Sequence, residues 1–277
     1  MIKSSAPTRI DLAGGTLDIW PLYLFFGNAP TINAAIDLYA TVEITPRKDK
    51  RIVLRSQDLK LEDSFSSVNN LPENHPLELL TRTVKFYAPK SGLEISTNCQ
   101  APQGSGIGGS SALNIALHGA LNKFMGKKYS KQEMIEIARN IETQVIGVPA
   151  GSQDYFPAIY GGVRAVKPGF IKIDTETLPV KTKELTEHFI LCYTGKPRNS
   201  GINNWEVTKK ALDGDKRVIR SLKTISNCAL EMYQLLKKGR ITGIAPVFDR
   251  EWKARKQLAP NISTPQMEKL IQSALKK

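Results

Sequence analysis

Cysteine, histidine and long apolar runs are what this sequence has least of. Only Cys99, Cys192 and Cys228 occur, an odd number with no CxxC pair. Neither a disulfide framework nor a cysteine-held metal is expected, and reduced thiols in a cytoplasmic protein are. His75, His118 and His188 are too separated to suggest a metal site, and His118 falls on an apolar helical pattern where a structural role is expected. No apolar run approaches the ~20 residues of a membrane span, and Met1 leads into the first patterned segment without a charged-then-apolar leader. Internal repeats and low-complexity tracts are lacking as well. Negative charge is the last shortage: 26 Asp and Glu stand against 39 Lys and Arg, a formal charge of +13. That balance favours anionic partners. The basic residues are dispersed in small groups such as Arg47-Lys-Asp-Lys-Arg51, without an aromatic-flanked stripe, which disfavours nucleic acid.

What is there centres on residues 101–113, Ala-Pro-Gln-Gly-Ser-Gly-Ile-Gly-Gly-Ser-Ser-Ala-Leu. Before it, residues 93–97 alternate like a short strand. After it, Leu113, Ala116, Leu117, Ala120, Leu121 and Phe124 recur at helical spacing, and Gly126 is placed to stop the helix. Gly104, Gly106, Gly108 and Gly109 let backbone N–H groups turn toward a ligand with no Cβ in the way. A helix start adds unpaired donors and partial positive charge, so the loop suits an anion, phosphate first. A structural glycine loop capped by serine is the alternative. Gly104-Ser-Gly-Ile-Gly-Gly109 fits the dinucleotide fingerprint literally, but Ser130-Lys-Gln-Glu133 opens a second helix where that fingerprint needs a strand. Gly-Ser-Ser replaces the G-K-[ST] of a Walker loop.

Pro102-x-x-x-Gly-Ile-Gly-Gly-Ser-Ser-Ala112 resembles the second signature of the GHMP kinase superfamily, which includes galactokinases, homoserine kinases and mevalonate kinases. Ala6-Pro-Thr-Arg-Ile-Asp-Leu-Ala-Gly-Gly-Thr-Leu-Asp18 resembles its N-terminal signature. Glu142, Gly147-Val-Pro-Ala-Gly-Ser-Gln-Asp-Tyr155 and Tyr160-Gly-Gly162 resemble the segment carrying its catalytic aspartate. Tyr193-Thr-Gly-Lys-Pro-Arg198 and Trp252…Ile262-Ser-Thr resemble the branch acting on heptoses and related sugars.

The resemblance implies an α+β, two-domain fold: an N-terminal domain like ribosomal protein S5 domain 2, and an incomplete C-terminal domain of ferredoxin-like derivation. The domains are expected at 1–167 and 168–277, divided near Lys167-Pro-Gly169. It further implies an ATP-dependent kinase using Mg2+ and acting on a hydroxyl of a sugar or sugar phosphate, a heptose first. Pro102, Gly104, Ser105, Gly106, Ile107, Gly108, Gly109, Ser110 and Ser111 would hold the nucleotide. Ser110 and Glu142 would hold the metal, with Ser111 as the fallback one register away; an N-cap hydroxyl is the bland reading of Ser110. Asp154 would serve as base or aligner and Arg9 would hold it ionised, against the commoner turn aspartate bonding its own backbone. Gly15, Thr16, Asp18, Tyr160 and Arg198 would bind the acceptor, with Lys196 a further anion contact. A helix N-cap is the alternative for Asp18. Gly14-Gly-Thr-Leu-Asp18 departs from the galactokinase pattern, which makes galactose doubtful.

The remaining pattern predicts extended segments at 2–12 and 31–45, with 50–56 pairing the latter across a charged turn. Helices are expected from 76 to about 89 and from 130 to 147, and an aromatic strand after Asp154. Short strands should follow at 163–166, 170–173 and 188–193, then helices at 200–212, 215–238, 241–258 and 264–274. The superfamily's third, glycine-rich signature is absent; it would be expected just past residues 270–277. Truncation of a true kinase is the favoured explanation, with weak or no activity expected of the polypeptide as written. A catalytically impaired metabolite-binding protein is the rival reading, and a homodimer stays open.

Overall fold

The computed structural model describes residues 1–27, 29–195 and 200–275. Along the chain run β1 (Ile2–Ala13), α1 (Leu22–Phe25), β2 (Thr31–Pro46), β3 (Ile52–Ser56), β4 (Leu61–Phe65), α2 (Glu78–Tyr87), β5 (Leu93–Cys99), α3 (Gly109–Phe124) and α4 (Lys131–Ile146). Then come α5 (Tyr155–Tyr160), β6 (Val163–Pro168), β7 (Ile173–Thr177), α6 (Thr182–Thr186), α7 (Ser200–Leu212), α8 (Lys216–Lys237), α9 (Ile244–Arg255) and α10 (Pro265–Leu275). No helix among the described residues is long and apolar enough to cross a membrane. The residues form two compact units. The first takes Met1–Ile10, Ala35–Ala150 and Asp154–Gly161; the second takes Asp11–Ala34, Gly151–Gln153 and Gly162–Lys277.

In the first unit the strands run β4-β3-β5-β2. β3 lies parallel to β5 and antiparallel to β4, while β5 pairs antiparallel with the second half of β2, Ile95 opposite Ile44 and Thr97 opposite Val42. The expected β2–β3 pairing is therefore corrected. β5 occupies that side of β2, which sends β3 one strand further out. Period-2 alternation buries Leu93, Ile95 and Thr97 of β5. Leu80 and Val84 of α2, Leu117, Ala120 and Leu121 of α3, and Ile135 and Ala138 of α4 are all buried. Each large apolar side chain so buried contributes roughly 1.5–3 kcal/mol. Asn114 Nδ2 donates to the Ala138 carbonyl at 2.9 Å, fastening α3 to α4. Ser130 caps α4 as expected, with both bonds of the capping box made, and Gly147 ends it in the left-handed conformation.

His118 is a buried titratable group of this core. The Tyr87 hydroxyl lies 3.1 Å from its Nδ1, and its Nε2 has no hydrogen-bond partner. Burial pushes its pKa from the ordinary 6.5 down to about 3. The unfolded chain therefore takes up the proton first. His118's contribution to stability is full above pH 6.5 and is lost as pH falls toward 3. Urea unfolding at pH 7.5 and 5 should show the parent losing about 2 kcal/mol more than His118→Gln. Equal pH slopes in the two proteins would refute this.

In the second unit β6 pairs antiparallel with β7 and with the first half of β2, Ile32 opposite Ala165. α7, α8 and α9 supply Val207, Leu222, Ile225, Ala229, Met232, Leu236 and Val247 to its core. Asp215 caps α8 through the Arg217 and Val218 amides. The helices expected after residue 200 are all present. The strand expected at 170–173 is displaced: residues 169–172 form a turn closed by Gly169 N–H to the Lys172 carbonyl, and β7 begins at Ile173. Residues 188–193 form no strand, because no ladder partner meets them among the described residues. The segment after Asp154 is the short helix α5, not an aromatic strand.

Candidate active site

The glycine loop connects β5 to α3 in the first unit. Gly104, Gly106 and Gly108 have φ of 68°, 77° and 74°, where a side chain would be strained. A Cβ on Gly106 would meet nothing within 4 Å, so that position needs glycine for its backbone angle alone. A Cβ on Gly108 would also sit 3.4 Å from Arg9 Cγ and 3.5 Å from Asp154 Oδ2. Ile107 is buried and anchors the loop, its carbonyl accepting the Arg9 amide at 3.0 Å. Ser105 N–H closes a turn onto the Pro102 carbonyl. Gly108 is the N-cap of α3 and brings no side-chain bond, so the first amides of a 16-residue helix meet no capping side chain. Donors and helix dipole together make an anion cradle.

Arg9 joins this loop to Asp154. Its Nε and Nη2 donate to Asp154 Oδ1 at 2.8 and 2.5 Å, and its Nη1 donates to the Gly106 carbonyl at 2.9 Å. Both bonds to the carboxylate end on Oδ1. Asp154 stands at the N-cap of α5 but caps nothing, so the turn-aspartate alternative is not what the structure holds. Its side chain is 24% exposed against 9% for Arg9, which makes a solvent-reachable carboxylate on a buried guanidinium.

Glu142 lies in the last turn of α4, and there it is buried. Its Oε2 accepts from Ser111 Oγ at 3.1 Å and from the Tyr155 hydroxyl. Burial pushes the carboxyl pKa up; the Tyr155 bond pulls it down, Asp154's charge raises it again, and bonds from Ser110 and Ser111 lower it. Ser110 is exposed at the start of α3, whereas Ser111 is buried with its hydroxyl on Glu142 Oε2. Hydroxyl and carboxylate oxygens are the donor chemistry magnesium takes, and that ion keeps much of its water. Among the described residues no group of three His, Cys, Asp or Glu could hold a metal ion.

The other expected residues divide between the units. In the first, Tyr160 is exposed, stacks on Phe156 with centroids 6.4 Å apart, and carries Lys131 Nζ 4.7 Å above its ring. In the second, Gly14 and Thr16 have φ of 87° and 78°, and Leu17 N–H returns to the Gly14 carbonyl. Thr16 Oγ1 donates to Asn204 Oδ1 at 3.2 Å. Asp18 is buried, and its Oδ2 accepts the Ser152 amide and, at 2.8 Å, the Gln153 amide. It therefore grips the two residues preceding Asp154 in the chain; it caps no helix. Lys196 and Arg198 lie outside the described residues.

Sequence reasoning missed Tyr155 on Glu142, Asn204 on Thr16, Glu251 on the Gly14 amide and Arg255 beside Asp11. Tyr155 follows the aspartate directly and reads as core. Glu251 and Arg255 read as an ordinary i,i+4 surface pair. Nothing in the local pattern marks any of them.

The chain is similar to known kinases. Residues 77–162 match the family model described as GHMP kinases N terminal domain. The D-glycero-alpha-D-manno-heptose 7-phosphate kinase of Campylobacter jejuni is 25% identical over 99% of this chain and 83% of its own length. Among solved structures, a D-glycero-D-manno-heptose 1-phosphate kinase from Bacteriodes thetaiotaomicron superposes with a TM-score of 0.73 at 23% identity, covering 95% of this chain and 82% of that one. A Streptococcus pneumoniae phosphomevalonate kinase in complex with phosphomevalonate and AMPPNP gives a TM-score of 0.76 at 12% identity, covering 100% and 86%. The chain has the two-domain α+β fold of these kinases.

Proposed function

We propose that this chain is an ATP-dependent kinase that transfers the γ-phosphate to a hydroxyl of a sugar or sugar phosphate, with a heptose phosphate the first acceptor to try. The observation that carries the reading is Asp154 lying against the glycine loop, one of its oxygens held by Arg9. Phosphoryl transfer asks little covalent chemistry of a protein; it asks for held phosphates and an aligned hydroxyl. The loop from Pro102 to Ser111 and the first amides of α3 receive the nucleotide phosphates. Ser110 and Glu142 would hold Mg2+, which when bound would neutralise phosphate charge. Tyr155 and Ser111 fix Glu142 Oε2. Arg9 takes Asp154 Oδ1, and Oδ2 accepts from the attacking hydroxyl. The acceptor contacts that the resemblance implies, Gly15, Thr16, Tyr160 and Arg198, are to be tested singly by substitution; Asp18 acts indirectly, through the residues it grips.

Titration calorimetry with Mg-ATP, followed by an ADP-release screen over heptoses, hexoses and their phosphates, tests the proposal. Saturable nucleotide binding and turnover with a sugar are expected. No binding of Mg-ATP, or turnover of mevalonate in preference to every sugar, would overturn it.

A further inference from the structure

Glu251 and Arg255 stand one turn apart on α9, a spacing that usually marks a solvated pair of little consequence. Here Glu251 keeps only 5% of its surface. Both of its carboxylate oxygens face the Gly14 amide, at 3.0 and 3.2 Å. Arg255 Nη2 donates to Glu251 Oε1 at 2.5 Å and reaches Asp11 Oδ2 at 3.5 Å. The inside of the turn is filled by these groups. A Cβ on Gly15 would lie 1.9 Å from Asp11 Oδ2 and 3.2 Å from Arg255 Nη2. The turn leads within four residues to Asp18, whose Oδ2 takes the Ser152 and Gln153 amides. Gly151 has no room either, since a Cβ there would lie 2.5 Å from that same oxygen. The pair is asymmetric: removing Arg255 would leave the buried Glu251 carboxylate without its cation.

We infer that Glu251 and Arg255 are positioning residues: they set the Gly14–Asp18 turn and, through Asp18, the backbone of residues 151–153 that leads into Asp154. The effect on the backbone stands by itself. Its effect on transfer rests on the function proposed above.

Hydrogen exchange on the full chain, read in peptides covering 11–20 and 150–156, decides the matter. Glu251→Gln keeps the side chain's shape and removes its charge. Both peptides should exchange roughly tenfold or more faster, with peptides from α2, α3 and α4 at the parental rate. With the best acceptor found, kcat should fall about 10–100-fold while the KM for ATP stays within about twofold. A surface pair would change none of this, and a merely structural role would loosen the whole unit evenly. Parental exchange at 150–156 overturns the inference, as does loosening of 11–20 alone. If Glu251→Gln accelerates exchange everywhere, Arg255→Lys, which keeps the charge and loses the Nη2 donor shared by Glu251 and Asp11, decides by the same two peptides. Local loosening in a chain whose parent transfers no phosphate upholds the positioning and counts against the function instead.

Discussion

Asp154→Asn should lower phosphoryl transfer to the best sugar acceptor by about 10³-fold and leave Mg-ATP affinity within about twofold. The substitution preserves size and keeps an oxygen that can accept from Arg9. What it loses is the second acceptor: an amide N–H₂ facing the acceptor donates, and can neither align a hydroxyl's proton nor take it. Because Arg9 engages Oδ1 through both Nε and Nη2, an Asn Oδ1 can keep those bonds and the loop geometry should survive. The asymmetry is the point of the measurement. Calorimetry reports the unchanged cradle and ADP release reports the lost chemistry. Transfer at the parental rate would remove Asp154 from the reaction and take the proposed role of Arg9 with it.

The second large effect belongs to Arg9→Met, which deletes at least three hydrogen bonds at once. Two end on Asp154 and one on the Gly106 carbonyl. Transfer should fall by about 10²-fold or more, since a misplaced aligning group costs that much. Stability should fall by about 2–3 kcal/mol in urea unfolding, the scale of bonds to a charged group discounted for the solvent that reaches Asp154. Nucleotide affinity should weaken too, by roughly tenfold, because the Gly106 carbonyl loses the donor that holds its peptide plane and hence the amides beside it. Adding Asp154→Asn to Arg9→Met should cost less than the two separate losses combined, as contacting residues do. Additive losses in activity would mean that the two side chains act independently, against the contacts seen here.

The segments of this chain differ in how far they are legible in the sequence. The glycine loop could be read because its requirement is local: φ above zero at Gly104, Gly106 and Gly108 and a helix starting at Gly109 are written in neighbouring residues. The Ser130 capping box and the Gly147 stop of α4 are local in the same way. Strand pairing is not. The pattern at 50–56 says strand, but nothing in it says that β5 and not β2 will be its neighbour. The stretch after Asp154 misled for another reason. Tyr155-Phe-Pro-Ala-Ile-Tyr160 has the aromatic richness of a strand, while its buried positions, Tyr155, Phe156, Pro157 and Ala158, are consecutive and wound as a single short helix.

Asp18 shows the boundary most clearly. Its residue type and its place after Gly14-Gly15-Thr16 suggest a carboxylate offered to a sugar. The fold gives that oxygen two backbone amides from residues more than 130 positions away. A chain read from end to end is divided at one point, near 167–169, whereas the folded chain passes several times between its two compact units. Residue chemistry and near-neighbour spacing by themselves determined the anion cradle, the helices of the second half, the thiols' isolation and the kinds of group present. Tertiary structure alone decided that Arg9 also reaches the Gly106 carbonyl, that Glu142 is buried with the Tyr155 hydroxyl on it, and that Glu251 is spent on the Gly14 amide. The reason is physical: backbone angles and periodicity are set within a few residues, but a carboxylate's partner, burial and proton affinity depend on whatever the rest of the chain brings against it.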